Sequence, residues 1–389
     1  MPQTLPKTIG SLFTTTLYIS ICLGFTPGLR LVYNKNMQEP ALFIYEIRHP
    51  RGDKETAETS ESMSQAFAAF STSFSVGWMQ AVFTTRPHIA FEIAVFNQTV
   101  HFFVSAPSGS APFVESQIAA HYPRVALTRV KDYMGSVFAH FPAHSLGQMI
   151  LSAAPYYPLR TFRDFRDVDP LSAIVGTLAK LGPQEAAVVQ IVVRNAGASW
   201  QQRGSRAIEV GIVLDDNGHR QRLSSERTIQ QKITQPGFNV NIRVAAFAND
   251  RGVSSLRLNQ IASSFGVVAN GEGNALILTK VPFYARELFT KKLHNRAVSF
   301  FPQNQILNSD ELASIWHPPG YTLSKVKNIA WGQSFLGEAP ENLPVASESS
   351  ESERKDINFI ARTDYKNRPT VFGIKRVDRR RHVYIMGKT

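Results

Sequence analysis

Between Ala41 and Val130 the hydrophobic period switches back and forth between two and 3.6, in an order that few folds accept. Ala41 to Arg48 (ALFIYEIR) reads as a strand, and His49 to Asp53, with Pro50 and Gly52, breaks it. Glu55 to Phe74 then places Met63, Ala66, Phe67 and Phe70 at helical spacing. Ile89 to Phe96 is a second strand; it turns at Asn97-Gln98 and returns as Val100 to Ser105. Pro112 opens a helix that Pro123 ends, and Val125 to Val130 closes the set as a strand. The order is β-α-β-β-α-β, the split βαβ arrangement of ferredoxin-like folds. The expected class is α+β.

A second unit follows with the same kinds of element. Gly147 to Ala153 is a weak strand. Asp169 reads as the N-cap, with Pro170 at the first position, of a helix whose face carries Leu171, Ile174, Val175, Leu178 and Leu181. Ala186 to Arg194 (AAVVQIVVR) is a strongly buried strand, Phe238 to Phe247 alternates, Ser254 to Phe265 is helical, and Asn274 to Val281 is again a strand. The polar stretch from Trp200 to about Gln235 reads as a helical insert between two βαβ halves. No sequence repeat is visible beyond this shared order. The expected organisation is an N-terminal segment (1–40), a ferredoxin-like domain (41–133) and a second one (134–300) with an insert at 198–236. A helix plus flexible linker (301–356) and the start of a further domain (357–389) complete it. The helix lies in Ile306 to Trp316, where Asn308 and Glu311 have capping-box spacing, and His317-Pro318-Pro319-Gly320 stops it. Ala339 to Lys355, with its Pro and Ser-Glu run, reads as the linker. Ile357 to Ile360, Thr370 to Ile374 and His382 to Met386 read as short strands after it.

Charge narrows the partners. The formal net charge is +12, with a pI near 9.8, which points to nucleic acid or a phospholipid surface. From Glu351 onward there are 11 Lys and Arg against 5 Asp and Glu, so half of the excess sits in the last tenth of the chain. The single cysteine, Cys22, excludes a disulfide framework and a Cys-based metal site, and fits a reducing compartment. Ile9 to Phe25 carries no charge and lies between Lys7 and Arg30. At that length it is at the lower limit for crossing a bilayer, so a membrane anchor and a buried element both remain open. No clean small-x-small cleavage site follows it.

The chain ends RRRHVYIMGKT. A phosphate-binding loop follows a buried strand with G-x-x-x-x-G-K-[ST], whose backbone N–H groups cradle phosphates. Gly387 fits its first glycine, and Lys388 and Thr389 fit interior loop positions, so these three are a partial nucleotide-binding loop. Arg376, Arg379, Arg380 and Arg381 are the candidate contacts to nucleic acid or another polyanion. His140 and His144 stand four apart, but Pro142 lies between them and no carboxylate joins them, so no metal site is expected. Phe91, Phe102 and Phe103 offer rings for base stacking, yet without a basic-glycine-aromatic signature they read as core. No triad or paired carboxylates stand out, so no catalytic residue is assigned.

Several segments together resemble the N-terminal region of large membrane-associated P-loop ATPases of type IV secretion and conjugation, the coupling-protein and HerA-like group. They are FVESQIAAHYP (Phe113 to Pro123), YPLRTFRDF (Tyr157 to Phe165), Asp169-Pro170-Leu171, Gln190 to Arg194, ILNSDELASIWHPPG (Ile306 to Gly320), Glu341 to Pro344 and Phe372 to Thr389. The likeness runs from about Ala41 to the end. It departs at the N-terminus, where the family has a clearer span, and at the insert around Trp200 to Gln235. The resemblance implies that the last stretch is the entry to the family's phosphate loop, cut before its lysine. The chain would then be a non-catalytic accessory and assembly region, with no cofactor of its own; ATP and Mg would belong to the full-length parent. It further implies other subunits of the same ATPase and secretion machinery as partners, DNA as a partner, contact with the membrane and a hexameric full-length form. The implied location is the cytoplasmic side of the bacterial inner membrane, or the cytoplasm. The alternative expectation is a stand-alone basic nucleic-acid-binding module.

Overall fold

The structure is a computed structural model that describes residues 41–51, 57–72, 88–165, 168–210, 213–214, 220–221, 225–299, 304–332, 341–363 and 369–380. It is an α+β molecule built on one antiparallel sheet.

The first half contributes β1 (Leu42–Arg48), α1 (Ala57–Thr72), β2 (Ile89–Phe96), β3 (Thr99–Pro107), α2 (Ala111–His121) and β4 (Ala126–Val130). Helix α3 (Met134–His140) follows. The second half contributes β5 (Ala143–Leu151), α4 (Leu171–Leu178), β6 (Glu185–Asn195), β9 (Gly237–Ala248), α7 (Arg251–Ser264) and β10 (Leu276–Lys280), again followed by a helix, α8 (Arg286–His294). Between β6 and β9 lies the insert: α5 (Ser199–Val210), a two-stranded ribbon of β7 (Val213–Leu214) and β8 (Arg220–Gln221), and α6 (Glu226–Ile233).

The strand order is β10-β5-β9-β6-β2-β3-β1-β4, every neighbour antiparallel. Each half is therefore a four-stranded sheet of the same internal order, and β2 and β6 join the halves from Ile89↔Val193 to Val95↔Ala187. The two expected units thus share one sheet. The physical reason lies in the β6 sequence: its largely apolar run must be covered on both faces, and pairing on both edges satisfies its backbone. The β2–β3 hairpin turns where expected, with Asn97 and Gln98 at φ +50° and +57°. Two consecutive left-handed residues match the right-handed twist of the flanking strands.

One face of the sheet carries α1, α2, α4 and α7, whose Met63, Phe67, Val114, Ile118, Ile174, Val175, Leu258 and Ile261 pack on Phe91, Ile93, Val189 and Val244. The other face is covered by α3 and α8, through Met134, Val137 and Leu293 against Phe103, Val188 and Phe247. Neither α3 nor α8 is evident from the sequence: both are short, with too few apolar positions to show a period. Phe91, Phe102 and Phe103 are all buried, as core rather than as a stacking platform. A third cluster, Trp200, Ile229, Ile233 and Ile306, roots the insert.

Three further expectations are corrected. Ile306–Asn308 is a short strand, β11, paired with β9 as Ile306↔Asn239 to Asn308↔Gly237, and the helix α9 is only Ser309–Ile315. The N-cap of α4 is Pro170 rather than Asp169, whose carboxylate accepts from Leu171 N at 2.9 Å. The stretch read as a flexible linker is ordered from residue 341. Its Val345 bridges to Phe372, Ala346 N donates to Val371 O and Gly373 N to Pro344 O. It runs beside the hairpin of β12 (Ile357–Thr363) and β13 (Thr370–Lys375), after a single capped turn, α10 (Glu351–Arg354). Backbone pairing needs no apolar run, so a polar segment can be held this way.

Among the described residues no helix is long and apolar enough to cross a membrane. The segment Ile9 to Phe25 and the strand expected over His382 to Met386 lie outside the described residues.

Candidate functional site: the clamped segment and the basic hairpin

Residues 306–320 (ILNSDELASIWHPPG) are buried without exception. A run with so many polar groups can be buried only if each is met by a partner. Asn308 and Glu311 form the reciprocal capping box at the start of α9, with Glu311 N donating to Asn308 Oδ1 at 2.9 Å and Asn308 N to Glu311 Oε2 at 3.1 Å. Glu311 does more than cap. Its Oε1 accepts from Leu159 N at 2.7 Å, and Lys232 Nζ of the insert stands 2.9 Å from Oε2. Burial pushes Glu311 up and Lys232 down, and their mutual attraction opposes both shifts. Lys232 also donates to Tyr157 O and Ile306 O.

Asp310 accepts from Gln235 at 2.8 Å and from Arg163 Nε at 3.2 Å, and Arg163 also pairs with Glu61 of α1. Burial, then the neighbouring Asp310 charge, raises the Glu61 carboxyl above its ordinary range. Trp316 stacks on Phe91 with ring centres 4.4 Å apart, and Ser60 of α1 donates to its carbonyl. At the end of the helix, His317 Nδ1 meets Ala313 O and Nε2 meets Asp169 Oδ2, both at 2.9 Å. Two acceptors on one ring require the imidazolium. Burial opposes that charge, but the Asp169 carboxylate prevails and holds His317 above its ordinary value. Asp169 is correspondingly low: burial works against it, and His317, Thr322 and Leu171 N outweigh burial. This one segment therefore ties together α1, the connection after β5, strand β2, the insert and the start of α4.

A second clamp crosses the other face. Glu92, Gln190 and Arg243 are directly opposite one another on β2, β6 and β9. Gln190 donates to Glu92 Oε1 at 2.7 Å and accepts from Arg243 at 2.6 Å. Arg243 goes on to the carbonyls of Lys292 and Ala297, and Gln190 to that of Leu293, so the last turn of α8 is fixed to the sheet. Burial lowers Arg243 to about 10. Arg296, at φ +52°, pairs with Glu92 at 3.1 Å and with Asp132 at 2.8 Å. Sequence reading missed this row, although each member is a lone polar residue inside an apolar strand (FEIA, VVQIV, NIRVA), which is the signal that would have found it.

The expected site residues are placed in part. Arg376, Arg379 and Arg380 are exposed, on the hairpin and the turn after it, and among the described residues no ion pair engages them. Arg381, Gly387, Lys388 and Thr389 lie outside the described residues. His140 ends α3 and His144 lies in β5; among the described residues no group of three or more His, Cys, Asp or Glu is arranged to hold a metal ion. The polar clusters bind elements to one another: apart from Arg243 Nε, which has no hydrogen-bond partner, their donors and acceptors are mostly spent on backbone and on each other, which is the chemistry of a clamp.

Residues 33–331 match the family described as Domain of unknown function (DUF8128). The chain belongs to that family. The DUF8128 match takes in the whole sheet, both clamps and the 306–320 segment, and it ends before the hairpin that carries Arg376, Arg379 and Arg380. No curated protein matches the chain.

Proposed function

We propose that the chain is a non-catalytic accessory and assembly region of a membrane-associated ATPase that moves DNA or protein, of the type IV secretion and conjugation kind. The observation that carries this reading is the 306–320 segment. It is one of the stretches that resemble that group in sequence, and it is the hub that locks α1, the insert and both halves of the sheet before the chain passes to an exposed basic hairpin. A body clamped by buried polar contacts and followed by a small basic hairpin suits a module that positions a motor and does no chemistry itself. The β-α-β-β-α-β order of each half, with the strand order β4-β1-β3-β2 and its counterpart β10-β5-β9-β6, supports reading the body as two ferredoxin-like units fused edge to edge. ATP, Mg, a hexameric ring and a place at the cytoplasmic face of the inner membrane belong to the parent machine in this proposal.

In-cell cross-linking followed by mass spectrometry tests the reading. Cross-links from 341–380 to the nucleotide-binding domain of a P-loop ATPase are expected, and their absence in favour of unrelated partners overturns it. Purified chain should show no ATP turnover; turnover that survives repurification overturns the non-catalytic assignment. A second reading, a stand-alone polyanion-binding module, is favoured by the exposure of Arg376, Arg379 and Arg380.

A further inference from the structure

A groove of about 510 Å³ lies between the start of β5 and α8. His144 lines it from the strand. Arg286, Glu287, Thr290, Lys291 and His294 line it from the helix. Their spacing puts them on one side of α8, while Phe289 and Leu293 turn into the sheet core. The helix is pinned in this register by Arg286, whose guanidinium donates to His144 O at 2.6 Å.

Within the sheet body several cations are matched: Arg163 with Glu61 and Asp310, Lys232 with Glu311, Arg257 with Glu185, Arg296 with Glu92 and Asp132. Among the described residues, no carboxylate stands within ion-pair distance of Arg286 or Lys291. Glu287 is the one acid in the lining. Burial, then the positive charges of Arg286 and of Arg251 at the start of α7, holds His144 below its ordinary value. With Arg286 and Lys291 against Glu287, the lining of this open groove carries net positive charge on a hydrogen-bonded scaffold, which favours an anion.

We propose that this groove binds a phosphate group, with Arg286 and Lys291 supplying charge and His144 and His294 supplying ring donors. A tetrahedral dianion has enough acceptor oxygens to meet donors arriving from the strand and from two turns of the helix; a carboxylate has fewer. The phosphate belongs either to a small soluble phosphoester or to a lipid headgroup. The second source draws on Phe283 and Tyr284, 83% and 77% exposed in the turn that enters α8, where aromatic rings suit a membrane interface. The site lies within the DUF8128 match and stands independently of the function proposed above.

The test uses the full chain with isotope-labelled histidine. Inorganic phosphate is titrated in, and the imidazole signals of His144 and His294 are followed by NMR. A saturable displacement of both signals is expected. Lys291→Gln, a surface change that leaves the fold intact, and Arg286→Gln should each weaken binding by about tenfold, the order of one charge-assisted hydrogen bond. Sedimentation with vesicles of phosphatidic acid in phosphatidylcholine then separates the sources. Vesicle binding that is lost in Phe283→Ser/Tyr284→Ser, with phosphate binding unchanged, assigns the lipid headgroup. Phosphate binding without vesicle binding assigns a soluble phosphoester. No displacement at saturating phosphate together with no vesicle binding, or binding unaffected by Lys291→Gln and Arg286→Gln, overturns the site.

Discussion

His317 shows how one side chain can carry a buried helix end. Its ring bridges Ala313 O and Asp169, and only the charged form satisfies both. His317 is raised in the folded chain, so its stabilisation is complete below the unfolded value of about 6.5 and is lost as pH rises through the folded one. Asp169 is lowered, so its share is present above about 3.9 and is lost as pH falls through the folded value. His317→Ala should therefore cost most between about pH 4 and 6.5, on the order of 3–5 kcal/mol for a broken buried pair. Urea unfolding of both proteins at pH 5.5 and pH 9 checks this; an equal loss at both refutes it. Gln98 gives the opposite sign. At φ +57° it bears a steric cost that glycine lacks. Gln98→Gly should leave stability equal or raise it by up to about 1 kcal/mol, after the larger entropy of the unfolded glycine is set against the relieved strain. A loss beyond 1 kcal/mol in thermal unfolding would show that the turn is not strained.

At the scale of elements, the insert is held by one close approach. A Cβ on Gly237, the first residue of β9, would stand 2.6 Å from the Trp200 indole. Trp200 is fully buried among Ile229, Ile233 and Ile306, so it has no room to retreat. Gly237→Ala should destabilise by about 1–3 kcal/mol, the usual cost of overpacking. Hydrogen exchange should locate the loss in 199–210, 226–233 and 306–308 and leave β2 and β3 protected. Uniform loss across the sheet would mean that the insert and the sheet unfold as one unit. The same element logic explains α8, a helix too short to persist alone, which is kept by Arg243 and Gln190 on its last carbonyls.

For the whole molecule, charge and fold are separately located. The α+β body neutralises most of its buried cations internally, whereas Arg376, Arg379 and Arg380 face solvent. Binding of the chain to duplex DNA should weaken with salt, with a log–log slope of about −0.9 per phosphate contact. Replacing those three arginines with glutamine should flatten the slope by about two to three units, measured by fluorescence anisotropy across a salt series. An unchanged slope would place DNA contacts on the body, or remove DNA as a partner.

What the sequence determined by itself was local. Alternation made the strands of both halves readable, the Asn97-Gln98 turn and Pro112 placed their connections, and Asn308 with Glu311 marked the cap of α9, because each depends on neighbours within a few residues. The tertiary structure alone decided that β2 and β6 join the halves, that α3 and α8 cover the second face, and that Val345 carries an apparently flexible linker onto a hairpin. It alone decided the partners of the buried charges. Glu92 meets Gln190 across 98 residues and Arg296 across 204, and Lys232 meets Glu311 from a separate element. An isolated polar residue in an apolar strand announces that it needs a partner. Which partner it finds depends on strand order and register, and these are set by packing between segments far apart in the chain.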